Sequence, residues 1–217
     1  MKTLSNFLFA KTLVALVLLF SGAALVSAQP ALYLEGTHYE TIAEPVRTVD
    51  PNKIEVTEIF WYGCPHCYAF EPLLDSWVVK IPSDVVFVRS PGMWNDLMKT
   101  HAQIYFAAME LGVIDKIHSQ AFSAIHQQGN YLETQDAIRE LFVAQGVAAA
   151  DFDKAWGSFT VTSGVRQADT KMRDYGVRGV PNLIVNGKYR VTVNDSVTSQ
   201  ADMLKIVDFL IAKERSS

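Results

Sequence analysis

The chain has 217 residues, 49% hydrophobic and 19% charged, with a formal net charge of −4. Ordinary amounts of Gly and Pro, with 11% aromatic residues, exclude an intrinsically disordered chain. The acidic balance excludes nucleic acid as the main partner, because phosphate neutralisation needs clustered Lys and Arg.

The first 28 residues read as a secretory signal. Lys2 and Lys11 form a positive start, Leu13 to Phe20 is an apolar run, and Val26-Ser27-Ala28 places small residues before a cleavage point at Ala28-Gln29. A permanent membrane anchor is the competing reading, since the uncharged stretch from Thr12 to Gln29 is about long enough to span. Cleavage removes two lysines and takes the net charge from −4 to −6. It also places the mature protein in an oxidising compartment, where a thiol pair can stay oxidised.

From Gln29 to Pro51 the pattern is weak, broken by turn formers at Gly36, Pro45 and Pro51. Lys53 to Tyr62 is rich in β-branched and aromatic residues and predicts a buried strand ended by Gly63. Cys64 to about Lys80 has helical apolar spacing at Cys67, Phe70, Leu74, Trp77, Val78 and Ile81, and Pro72 is expected to kink or break it. Val85 to Arg89 predicts a second strand, which completes a βαβ unit.

Helical patterns then follow through Asp96–Leu111, Ile114–His126, Thr134–Ala144 and Asp151–Ser158, with no strand signal of comparable strength between them. Another helix, about Thr162 to Tyr175, leads to a predicted strand at Val180–Val185. Asn186-Gly187 is a hairpin turn, Lys188–Val193 its second strand, and Ser199–Lys213 a closing amphipathic helix. The fold class is α/β, with an all-helical insertion between the strands. The segments are 1–28, a first sheet-forming part over 29–95, the insertion over 96–160 and a second sheet-forming part over 161–217.

The two cysteines are Cys64 and Cys67, in Gly63-Cys64-Pro65-His66-Cys67 at a strand-to-helix junction. The first amides of a helix have no intrahelical acceptor, and the macrodipole places positive charge there. A thiolate at Cys64 gains both interactions, so its pKa should fall. Pro65 fits the first turn, and His66 can add positive charge or a donor. Cys67, one turn on, should face inward. The i, i+3 spacing brings the sulfurs within bonding reach.

Other readings of the pair fare worse. A c-type haem site needs His after the second cysteine, but position 68 is Tyr. A zinc site needs two more ligands from His38, His101, His118 or His126, none in a paired ligand spacing. A merely structural disulfide would close too short a loop to stabilise much. No metal or cofactor is expected. Glu58 stands in an otherwise apolar strand; it is either on an exposed face or buried as a proton relay for Cys67. Pro181 is either an ordinary trans proline at a strand start or a cis proline that frees the Val180 backbone to pair with an extended peptide.

CPHCYAFEP, the helical interval, the downstream GVP and the NGKY hairpin together resemble the DsbA family of periplasmic thiol:disulfide oxidoreductases, in the thioredoxin superfamily. The resemblance covers essentially the whole mature chain. It implies a thioredoxin-like sheet interrupted by a helical domain, donation of disulfides to newly exported reduced proteins, and reoxidation by a DsbB-like membrane quinone reductase. By the same resemblance Cys64 is the attacking cysteine and Cys67 the resolving one. Pro65 and His66 are the tuning dipeptide, Val180-Pro181 the cis-proline loop, and Glu58 the buried acid beneath the disulfide. Arg89 falls near a family position for a basic partner of that acid, and aligning it there takes a short gap. A periplasmic monomer is expected. A disulfide isomerase or reductase, and a peptide-binding chaperone with a structural disulfide, remain as alternatives. The best-known periplasmic isomerases carry an extra N-terminal dimerisation domain, and the interval between Ala28 and Lys53 is too short for one.

Overall fold

The computed structural model describes residues 32–216, so the predicted signal and its cleavage point lie outside the described residues. Five strands form one sheet in the order β1-β5-β4-β2-β3. They are β1 (Glu40–Thr41), β2 (Ile54–Phe60), β3 (Val85–Pro91), β4 (Asn182–Val185) and β5 (Tyr189–Val191). β2 and β3 run parallel, joined by helix α1 (Pro65–Val78), while β4 lies antiparallel to β2 and β5 antiparallel to β4. The weakly patterned N-terminal segment contributes the short edge strand β1, antiparallel to β5. Two residues carry no periodicity, which is why the sequence shows no strand there.

Between β3 and β4 come α2 (Asp96–Glu110), α3 (Ile114–Gln128), α4 (Gln135–Ala144), α5 (Ala149–Trp156) and α6 (Phe159–Asp174); α7 (Gln200–Arg215) closes the chain. Asn95, Thr134, Ser158 and Ser199 cap α2, α4, α6 and α7 by accepting a first-turn amide. α1 runs through Pro72 without a break. A helix-interior proline removes one backbone donor, and buried Phe70 and Leu74 on either side hold the turns together. Among the described residues no helix is long and apolar enough to cross a membrane.

The alternation of β2 decides where the site lies, because residues two apart share a face. Val56 packs with Phe70, Leu74 and the apolar face of α7, whereas Phe60 packs into the helical core with Phe122, Tyr105 and Cys67. Glu58 lies between Val56 and Phe60 on that same face. Ile59 points the other way, onto Met172 and Tyr175. The Asn186-Gly187 turn has positive φ at both residues, 51° and 64°, the pairing a two-residue type I′ hairpin requires. A Cβ at Gly187 would stand 1.9 Å from the Val46 carbonyl oxygen.

Candidate active site

Cys64 is the N-cap of α1, with Pro65 at the first position and no side-chain cap. The first-turn amides are therefore left to the sulfur. Both cysteines are free thiols; Cys64 is 7% exposed and Cys67 fully buried. A hydrogen bond from the Cys67 thiol does most to hold the Cys64 thiol down, to about 6. The Cys67 and His66 amides and the His66 imidazole add to it, against the opposing effect of burial. Sequence reasoning pointed to the amides and His66; the larger contribution comes from the second sulfur. Burial drives the Cys67 thiol the other way, far above the ordinary cysteine range. One sulfur is a thiolate at neutral pH and its neighbour a thiol.

Glu58 is fully buried, which excludes the exposed-face reading. It stands directly opposite Arg89 in the β2–β3 ladder, with Arg89 Nε 3.3 Å from Glu58 Oε2. The contact lacks hydrogen-bond geometry: neither carboxylate oxygen of Glu58 has a hydrogen-bond partner. Burial first, and the neighbouring Glu71 carboxylate second, push Glu58 up to about 8 in spite of Arg89. At neutral pH Glu58 therefore holds a proton.

Glu71, and His118, which the sequence offers only as a zinc-ligand candidate, complete this cluster. Glu71 accepts a hydrogen bond from Arg89 Nη2 at 2.9 Å and lies 3.2 Å from His118 Nε2. His118 Nδ1 is 2.9 Å from the Tyr62 hydroxyl, and burial holds this histidine below its ordinary pKa. Glu71 follows Cys67 by four residues, a spacing that puts both on one helix face and was the signal available in the sequence. His101 and His126 serve the strand end: Trp61 Nε1 donates to His101 Nδ1, and His126 Nε2 donates to the Tyr62 carbonyl. Among the described residues no group of three or more His, Cys, Asp or Glu is placed to hold a metal ion.

Across from the cysteines, the Val180–Pro181 peptide bond is cis. The Val180 carbonyl lies 3.6 Å from Cys64 Sγ and accepts a hydrogen bond from it only while Cys64 is the protonated thiol. β4 begins at Asn182, two residues later than the sequence predicts, since proline cannot donate to a ladder and the Val180 carbonyl is turned to the sulfur. From the other side Gln200, at the start of α7, donates to the His66 carbonyl at 2.5 Å. A dithiol at the N-terminus of the helix after a central strand, faced by an X–Pro loop on a sheet with a helical insertion, defines a thiol:disulfide oxidoreductase of thioredoxin-like fold.

Comparison with known proteins agrees. A family model described as the DSBA-like thioredoxin domain matches residues 83–205. Thiol:disulfide interchange protein DsbA of Pseudomonas syringae is 42% identical over 193 residues, covering 88% of this chain and 90% of the relative. Its counterpart in Azotobacter vinelandii is 39% identical over 196 residues, covering 90% and 91%. The crystal structure of Pseudomonas aeruginosa DsbA superposes with a TM-score of 0.80 at 38% identity, covering 85% of this chain and 95% of that one. The chain belongs to the DsbA-like thioredoxin family, whose curated members are thiol:disulfide interchange proteins.

Proposed function

We propose that the Cys64–Cys67 pair, in its oxidised form, donates its disulfide to reduced proteins newly exported to the periplasm. A client thiolate attacks Cys64 Sγ, the Cys64–Cys67 bond breaks, and the electron pair leaves on Cys67. A second client thiolate then attacks the client sulfur of the mixed disulfide and releases Cys64 as a thiolate. The client loses two electrons and the protein gains them. Cys67, whose thiolate is disfavoured by burial, takes a proton as it leaves, and protonated Glu58 beneath it supplies that proton. Cys64 leaves readily because its thiolate is stable at neutral pH.

The observation that carries this reading is the opposed titration of the two sulfurs, which makes the outer one both the electrophile and the better leaving group. Pro65 and His66 tune it, and the Val180-Pro181 loop holds the client strand beside it. A DsbB-like membrane quinone reductase restores the disulfide. The protein acts as a monomer matured by cleavage at Ala28-Gln29, with the insertion over 96–160 set between the sheet-forming parts 29–95 and 161–217. The test is stoichiometric: the oxidised protein, mixed with a reduced two-cysteine peptide, should yield one peptide disulfide per protein disulfide lost. Cys64→Ser should abolish the transfer. An oxidised wild-type protein that leaves the peptide reduced overturns the reading.

A further inference from the structure

A cavity of about 710 Å³ opens beside the cysteines and is lined by His66, Arg178, Val180, Pro181, Arg190 and Gln200 among others. Its two arginines differ. Arg190 is engaged by the Glu40 carboxylate and by the Tyr175 and Gly176 carbonyls. Arg178 is exposed and takes part in no hydrogen bond or ion pair among the described residues. Glu40, the cavity's acid, is already paired with Arg190. The cavity therefore presents one uncompensated guanidinium to whatever enters it.

The position of that cation along the chain gives it a reading. Arg178 precedes by two residues Val180, whose carbonyl touches Cys64 Sγ. The chain bends at Gly179 and Val180, and Arg178 and Val180 line the same cavity beside His66. A client strand that pairs with the Val180 backbone thus runs past Arg178 within a few residues of its own reacting cysteine. We infer that Arg178 recognises a client carboxylate, so that the protein prefers clients with Asp or Glu about two residues from the cysteine that engages Cys64. This rests on the proposed transfer of the disulfide to clients. The mature net charge of −6 repels acidic peptides at long range, so a preference for them can only come from a local cation such as this one.

Two reduced dithiol peptides, identical except for Glu or Gln two residues from the first cysteine on its C-terminal side, and a second pair with the change on the N-terminal side, provide the probe. Rates of oxidation by the oxidised full-length mature protein are measured by stopped flow at low and high salt. Wild type should oxidise a Glu peptide of at least one pair about three- to tenfold faster than its Gln counterpart at low ionic strength, falling to within about twofold at high salt. Arg178→Gln should abolish the ratio and Arg178→Glu should invert it. Arg166→Gln, the same charge change on α6 away from this cavity, should leave the ratio as in wild type. Equal rates for Glu and Gln peptides in wild type, or an undiminished ratio in Arg178→Gln, overturn the assignment of Arg178 alone. Failure of wild type to oxidise any of the peptides overturns the disulfide-donor reading beneath it.

Discussion

Glu58 and Arg89 face each other across the parallel β2–β3 ladder at 3.3 Å, and yet Glu58 is held protonated up to about pH 8. The cation is shared: Arg89 also bonds Glu71 and lies 3.5 Å from Asp75. One guanidinium divided among three carboxyl groups cannot offset the burial of the deepest of them.

This arrangement sets a pH dependence. The folded pKa of Glu58 lies above its unfolded value, so its contribution to stability is full below about pH 4.5 and is lost as pH rises through about 8. Glu58→Gln keeps the shape and stays neutral. Urea unfolding of the oxidised forms should find the variant more stable than wild type by about 1–3 kcal/mol at pH 9, with the difference shrinking toward pH 5. An identical pH profile for the two proteins would show that Glu58 is ionised throughout.

The Cys64 thiolate depends chiefly on the Cys67 thiol as donor. Cys67→Ala removes the donor, whereas Cys67→Ser keeps one. Thiolate absorbance at 240 nm should give Cys64 an apparent pKa near 6 in wild type, with a rise on the order of one unit in Cys67→Ala and a smaller rise in Cys67→Ser. His66→Ser should raise it less than Cys67→Ala, because the imidazole is the weakest of these contributions.

The two redox forms should differ in stability with the opposite pH trend. Cys64 titrates at about 6 in the folded dithiol against about 9 in a free chain, so its stabilisation of the reduced form is lost as pH falls through 6. Glu58 is present in both forms and largely cancels. The reduced protein should exceed the oxidised one in stability by a margin that widens from pH 6 to pH 9, read as a shift in urea midpoint. A margin independent of pH would sink the claim.

Gly187→Ala should destabilise the fold by about 2–4 kcal/mol without altering the Cys64 pKa. Its φ is +64°, and the new Cβ would collide with the Val46 carbonyl oxygen. Thermal unfolding checks the first part and thiolate absorbance the second. Asn186→Gly, at a φ of 51° that glycine accepts freely, should cost far less.

Much of the site was legible in the chain because its chemistry is local. The Cys64-Pro65-His66-Cys67 run, the buried strand before it and the helix after it lie within a few turns of one another, and periodicity reports such neighbours directly. Asn186-Gly187 marked its own turn for the same reason. The tertiary structure decided everything that depended on which face of a strand turns inward. Glu58 looked equally suited to a wet surface until β2 was seen to be covered on both faces. The resemblance set Arg89 only near a partner position across a gap, and the parallel register fixes it opposite Glu58, while Glu71 and His118 joined only when α1 and α3 packed together. The sequence could place Val180 and Pro181 beside Cys64 only by resemblance, since 116 residues separate the two halves of that contact. A linear pattern records the periodicity of each element, but the burial that moves a proton on Glu58 or Cys67 comes from elements far apart in the chain.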